Sequence, residues 1–242
     1  MEAGWNRFLT ERDRQHLQSW GKASADPLGR KPVLVVIDVY YASVGHERLP
    51  LLESVQQWPM SCGLEGWAAI DRMVPLIAAA RAQGVPVVYV RNNARFPSDP
   101  LRVAERGARP RTPSPSLPPE VRARANEIVA EVAPREGELV IEKAAPSAFA
   151  GTPLAHYLRL CDADTVLVCG ETTSGCVRAS VVDAQTERYR VGVVGDCCYD
   201  RTEASHWINL FDMHQKYAEV IDCNAAVAYL EGLRAPAAAT AA

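Results

Sequence analysis

Three residues able to do chemistry each stand just past a short apolar run: Asp38 after Val33–Ile37, Lys143 after Glu138–Ile141, and Cys176 a few residues after Val166–Cys169. Buried parallel strands read as continuous apolar runs, and the C-terminal ends of such strands are where open α/β sheets place their sites. The stretch Val166–Ala184 reads strand, tight turn, helix, with Cys176 where the helix starts. A helix N-terminus carries unpaired N–H groups and partial positive charge, which would stabilise a thiolate and hold an oxyanion forming beside it. Asp38 could take the thiol proton. Lys143, as a cation, would lower the thiol pKa and keep the carboxylate charged. Together the three could transfer an acyl group to water, with the protonated aspartate handing its proton to the leaving amine. The same residues also admit structural roles. Cys176 could be a small buried apolar residue, Asp38 a turn cap, and Asp38–Lys143 a buried ion pair.

The elements that must position these residues follow from periodicity. Apolar runs predict strands over Lys31–Tyr40, Val85–Val90, Glu138–Ile141, Thr165–Cys169, Arg190–Val194 and Glu219–Asp222. Helical spacing predicts helices over Glu65–Ala82, with Gly84 fitting its C-terminal cap, and over Pro119–Ala133, Pro153–Leu160, Cys176–Glu187, Glu203–Tyr217 and Asn224–Leu233. Strands alternating with helices imply an α/β doubly wound fold: a six-stranded parallel sheet between two helical layers. Tyr41–Gly63 reads as irregular. Arg91–Pro119, with seven prolines and six arginines, reads as a long loop or flap that helps shape the pocket. In residues 1–31, Trp5, Phe8, Leu9, Leu17 and Trp20 could line one stripe, with Thr10 capping a helix from Glu11. That arm would pack on the body or on a neighbouring subunit.

Composition narrows the function classes. At 242 residues, 48% hydrophobic and 23% charged, the chain has globular values and fits a single α/β domain. A net charge of −3 gives no reason to expect nucleic acid as a partner. No apolar run approaches the roughly 20 residues that span a bilayer, and the N-terminus is too polar for a secretory signal. Seven cysteines, an odd number without C-x-x-C, suggest neither a disulfide framework nor a zinc site. The expected location is the cytoplasm.

The motifs VVIDVY around Asp38, VIEKAAPSAFAGTPL around Lys143 and CGETTSGCVRASVVDA around Cys176 resemble the isochorismatase-like cysteine hydrolases, within them the N-carbamoylsarcosine amidohydrolase branch. A looser match runs from Gly195 to Val220. The resemblance implies a hydrolase domain over residues 32–233, after the arm, and the Ala/Thr-rich tail at 234–242 is expected to be disordered. It implies an Asp38–Lys143–Cys176 triad, no organic cofactor, and a homo-oligomer, dimer or tetramer. It also implies a non-proline cis peptide at Glu171–Thr172 that turns the Thr172 N–H toward the site, so that the backbone N–H groups of Thr172 and Cys176 form the oxyanion hole. Arg201 stands where the branch has an arginine that holds the substrate carboxylate, and Thr173 and Tyr40 complete the candidate substrate-binding set. The nicotinamidase branch has a metal-binding Asp-x-His where this chain has Arg91-Asn92-Asn93, so no metal is expected. The implied activity is cysteine-dependent hydrolysis of a C–N bond in a small carboxylated amide or N-carbamoyl compound, maleamate-like or N-carbamoylsarcosine-like. Ammonia would leave through a thioester or thiocarbamate intermediate. Two other readings stand beside it: vinyl-ether hydrolysis with Asp38 as general acid, and a non-catalytic redox or scaffold role using Cys176 or the Cys197–Cys198 pair.

Overall fold

The structure, a computed structural model, describes residues 4–22, 27–92, 114 and 116–233. The N-terminal arm is a 3-10 turn (Gly4–Phe8) followed by α1 (Glu11–Trp20). Thr10 caps α1: its hydroxyl accepts from the Asp13 N–H, while the Asp13 carboxylate accepts from the Thr10 N–H. That reciprocal pair satisfies two donors a helix start leaves open. The arm packs on the body of its own chain. Trp5 stacks on His214, Arg7 pairs with Glu203, and Lys22 pairs with Glu219.

The chain continues through β1 (Pro32–Ile37), α2 (Tyr41–Val44), α3 (Leu51–Gln57), α4 (Gly63–Ala82) and β2 (Val87–Asn92). Then come α5 (Pro119–Ala123), β3 (Leu139–Lys143), α6 (Leu154–Leu160), β4 (Thr165–Glu171), α7 (Arg178–Thr186), β5 (Arg190–Tyr199), α8 (Glu203–Lys216), β6 (Glu219–Ile221) and α9 (Cys223–Glu231). The six strands form one sheet in the order β3-β2-β1-β4-β5-β6, all neighbours parallel. The order reverses between β1 and β4, so the crevice lies past the ends of those two central strands.

Every residue of β1 and β4 is buried, because helices cover both faces. Leu34 and Val36 face the layer of α4 and α9. Val33, Val35 and Ile37 face the layer of α6, α7 and α8. Each such side chain contributes roughly 1.5–3 kcal/mol by leaving water.

Four expectations change. Tyr41–Gly63 holds two short helices, α2 and α3, separated where Gly45 takes φ 85°. The helix expected over Pro119–Ala133 stops at Ala123. Beyond it the backbone pairs with the chain leaving β1: the Tyr41 and Ala42 N–H groups donate to Glu127 and Ala125 carbonyls, and Ile128 bridges Tyr40. Ile128, Val129 and Val132 are still buried, which is why their spacing resembled a helical stripe. Strand β5 runs on to Tyr199, since β4 re-pairs with it after a register shift (Gly170 with Cys198, Glu171 with Tyr199). Cys197 and Cys198 therefore lie inside a strand and pack on opposite faces of the sheet, as alternation requires. Finally, α7 starts at Arg178, and Cys176 sits in a π-helical turn, Thr173–Val177, ahead of it. Most of Arg91–Pro119, and the tail from residue 234, lie outside the described residues.

Candidate active site

Asp38 is the first residue past β1. Its N–H donates to the Val90 carbonyl, which ties it to β2, and its φ is 56°. Aspartate tolerates this left-handed region better than most residues. Lys143 ends β3, in register with Asn92 of β2, and its side chain reaches across β2. Cys176 comes from the turn after β4. The Lys143 Nζ lies 2.7 Å from Asp38 Oδ2 and donates to Cys176 Sγ at 3.2 Å. The ends of three strands thus meet at one ammonium.

Asp38 is 1% and Lys143 4% exposed. Asp38 Oδ1 is buried and accepts no hydrogen bond from the described residues. A buried acceptor left open is costly, and this one sits at the trio. Burial pushes the Asp38 carboxyl up, and the Lys143 ammonium opposes it. Burial works against the Lys143 charge, but Asp38 and Cys176 outweigh it, so the ammonium is held more firmly than usual. The Cys176 thiol is pushed up to about 12, first by burial and then by the Asp38 carboxylate, against Lys143. This corrects the expectation of a thiolate stabilised at rest. Lys143 lowers the thiol, as expected, but desolvation and the neighbouring carboxylate are larger. The resting sulfur carries its proton.

Around the trio, the Glu171–Thr172 peptide is cis. The Thr172 carbonyl accepts from the Gly175 and Val177 N–H groups and anchors the turn that carries Cys176. Asp200, just past β5, accepts from the Ser174 N–H at 2.8 Å and holds that turn from the other side. Tyr40 is buried beside Asp38, Glu171, Cys176 and Tyr199, and burial raises its phenol. Arg201 lies on the same side, with Nη2 3.5 Å from Glu171 Oε2. Thr173 is placed differently: it is fully buried and its hydroxyl is paired with His206 Nδ1 at 2.8 Å. Burial lowers His206 to about 4, so its ring is neutral.

The sequence motifs give Glu171 only as half of the cis peptide and single out neither Asp200 nor Tyr199. A signal for Glu171 was present: it is a charged residue closing an all-buried strand, as Asp38 follows the all-buried β1, whereas Lys143 closes the partly exposed edge strand β3. Among the described residues, no group of three His, Cys, Asp or Glu side chains could hold a metal ion, and no helix is long and apolar enough to cross a membrane.

The chain is similar to known proteins over most of its length. The family model of the Isochorismatase domain matches residues 33–225. The chain is 36% identical over 205 residues to maleamate amidohydrolase of Pseudomonas putida, covering 84% of this chain and 87% of the relative. It is 32% identical over 209 residues to N-carbamoylsarcosine amidase of an Arthrobacter species, covering 85% and 73%. Among solved structures it is similar to N-carbamoylsarcosine amidase from Thermoplasma acidophilum, with a TM-score of 0.59, 28% identity, and coverage of 80% of this chain and 97% of that one. An isochorismatase family protein from Desulfovibrio vulgaris superposes with a TM-score of 0.66 at 28% identity, covering 84% of this chain and 100% of that one. With three strand ends meeting at Cys176, Lys143 and Asp38, and with these relatives, the chain belongs to the isochorismatase family, as an amidohydrolase.

Proposed function

We propose that the protein hydrolyses the C–N bond of a small carboxylated amide or N-carbamoyl compound through a covalent intermediate on Cys176. The observation that carries this reading is the geometry of Lys143. One ammonium contacts both the Asp38 carboxylate and the Cys176 sulfur, while Asp38 Oδ1 has no partner among the described residues. That arrangement suits a proton transfer at the moment of attack. The thiol proton passes to Asp38 as sulfur bonds to the carbonyl carbon, and the carbonyl electron pair moves to oxygen. The backbone N–H groups of Thr172 and Cys176 receive that oxyanion. When the C–N bond breaks, Asp38 returns the proton to nitrogen and ammonia leaves. Water then adds to the thioester, or thiocarbamate for a carbamoyl substrate, giving its proton to Asp38. Collapse breaks the C–S bond and re-protonates Cys176. Lys143 stays charged throughout and steadies Asp38 in its anionic form. Arg201 holds the substrate carboxylate, and Tyr40 forms part of the wall around the reacting carbon.

The test is ammonia release from a panel of short carboxylated amides, maleamate included, and N-carbamoyl amino acids, with wild type beside Cys176→Ser. Release from a panel member, lost by at least about a thousandfold in the variant, is the expected result. Release that persists in Cys176→Ser, or silence across the panel, would contradict the proposal.

A further inference from the structure

Glu171 is the buried ionisable group that the mechanism above leaves without a task. It closes β4, is 4% exposed, and its carboxyl has one side-chain partner among the described residues, Arg201, at a loose 3.5 Å. The groups facing it come from every element that meets at the crevice. Asp38 and Tyr40 follow β1, Cys62 precedes α4, Lys143 ends β3, and Tyr199, Asp200 and Arg201 lie at the end of β5. Two of these neighbours, Asp38 and Asp200, are carboxyl groups with tasks of their own. Asp38 is held against Lys143, and Asp200 accepts from the Ser174 and Arg201 N–H groups.

A substrate carboxylate arriving at Arg201 would stand beside Glu171. Were Glu171 charged, it would cancel the guanidinium and repel the newcomer. An uncharged carboxyl does the opposite: its O–H donates and adds a second hydrogen bond. Burial raises the Glu171 carboxyl to about 8, more than Arg201 lowers it, so the donor form is available at neutral pH.

We propose that Glu171 and Arg201 together form a carboxylate clamp at the substrate's far end, with Glu171 as a neutral hydrogen-bond donor and a determinant of specificity. The proposal rests on the reading that the substrate carries a carboxylate. It selects small mono-anionic amides over neutral ones, and it makes substrate binding proton-linked. Bound carboxylate favours the protonated form of Glu171, so binding takes up protons at mildly alkaline pH, and affinity falls as Glu171 ionises.

The probe is maleate, a dicarboxylate that cannot be turned over, titrated into the enzyme by calorimetry near pH 8 in two buffers of different ionisation heat. Wild type should take up a substantial fraction of a proton on binding. Its affinity should fall about tenfold per pH unit above 8. Glu171→Gln, which keeps a donor but cannot titrate, should bind with no proton uptake and a flat profile, and Arg201→Gln should lose binding. Maleate binding without proton uptake in wild type, uptake unchanged in Glu171→Gln, or no binding of maleate at all would each overturn the clamp. Absence of proton uptake in the wild type overturns the clamp even if a variant folds poorly. Because the probe undergoes no reaction, failure of the clamp is distinct from failure of the amidohydrolase chemistry, which the ammonia assay reads.

Discussion

Lys143 is a single side chain with two tasks that can be separated. As a structural partner it neutralises Asp38, which is buried with it. As a chemical partner it faces the sulfur. Lys143→Met fills a similar volume but leaves the Asp38 charge unpaired, and such breaks cost about 3–5 kcal/mol. The expected outcome is a large drop in the urea midpoint together with lost turnover. Asp38→Asn keeps the shape and removes the charge. Because it leaves the buried Lys143 ammonium unpaired, it should also lower the urea midpoint, and it should lose activity by about a hundredfold to ten-thousandfold, the range for a general base. Equal stability of the Lys143→Met variant and wild type would show that the pair is not held in this way. Asp38 and Lys143 were legible in sequence as charged residues following apolar runs, although only the run before Asp38 is buried throughout and β3 is a partly exposed edge strand. The protonation state of Cys176 was not. It depends on how far burial and Asp38 outweigh Lys143, and a sequence does not print a local dielectric.

The site's precision comes from how closely β1 and β4 approach each other at their C-terminal ends. Gly170 has φ 118° and lies against the Ile37 carbonyl, where a Cβ would overlap the backbone. Gly151, also at positive φ, has open space around it. Gly170→Ala should therefore destabilise far more than Gly151→Ala, which pays only the conformational penalty. Thermal unfolding of the two variants checks this, and similar losses would contradict it. The strands were legible because apolar runs of five or more leave few alternatives. The segment after α5 was not. Its apolar residues fit a helical period, but its backbone is claimed by Tyr41 and Ala42 across the crevice, a long-range pairing with no local signal. The extension of β5 past Gly195 was hidden for the same reason: it depends on the second stretch of pairing with β4.

At the scale of the whole molecule, Glu171 ties folding to pH. Its folded-state value of about 8 stands above the ordinary 4.5. Below the ordinary value both states hold the proton, so the group is neutral to stability. As pH rises from there toward 8, the unfolded chain loses the proton and the folded chain keeps it. Stability then falls by up to about 1.4 kcal/mol per pH unit and levels off above 8. Glu171→Gln should remove that slope, so its stability advantage over wild type should grow as pH rises. Urea midpoints at several pH values read this directly, and parallel curves would contradict it. The molecule's layers, its family and the three residues at its centre were all legible from motif and order. The buried carboxyl beside them was legible in position but not in charge.

The central claim is that Cys176 carries the acyl group. Rapid-quench intact-mass analysis of wild type mixed with the best amide of the panel measures it. The account predicts a transient mass gain equal to the substrate less ammonia, mapped to Cys176 and formed with the first equivalent of ammonia. Ammonia released with Cys176 unmodified at every time, and with turnover undiminished in Cys176→Ser, would contradict it.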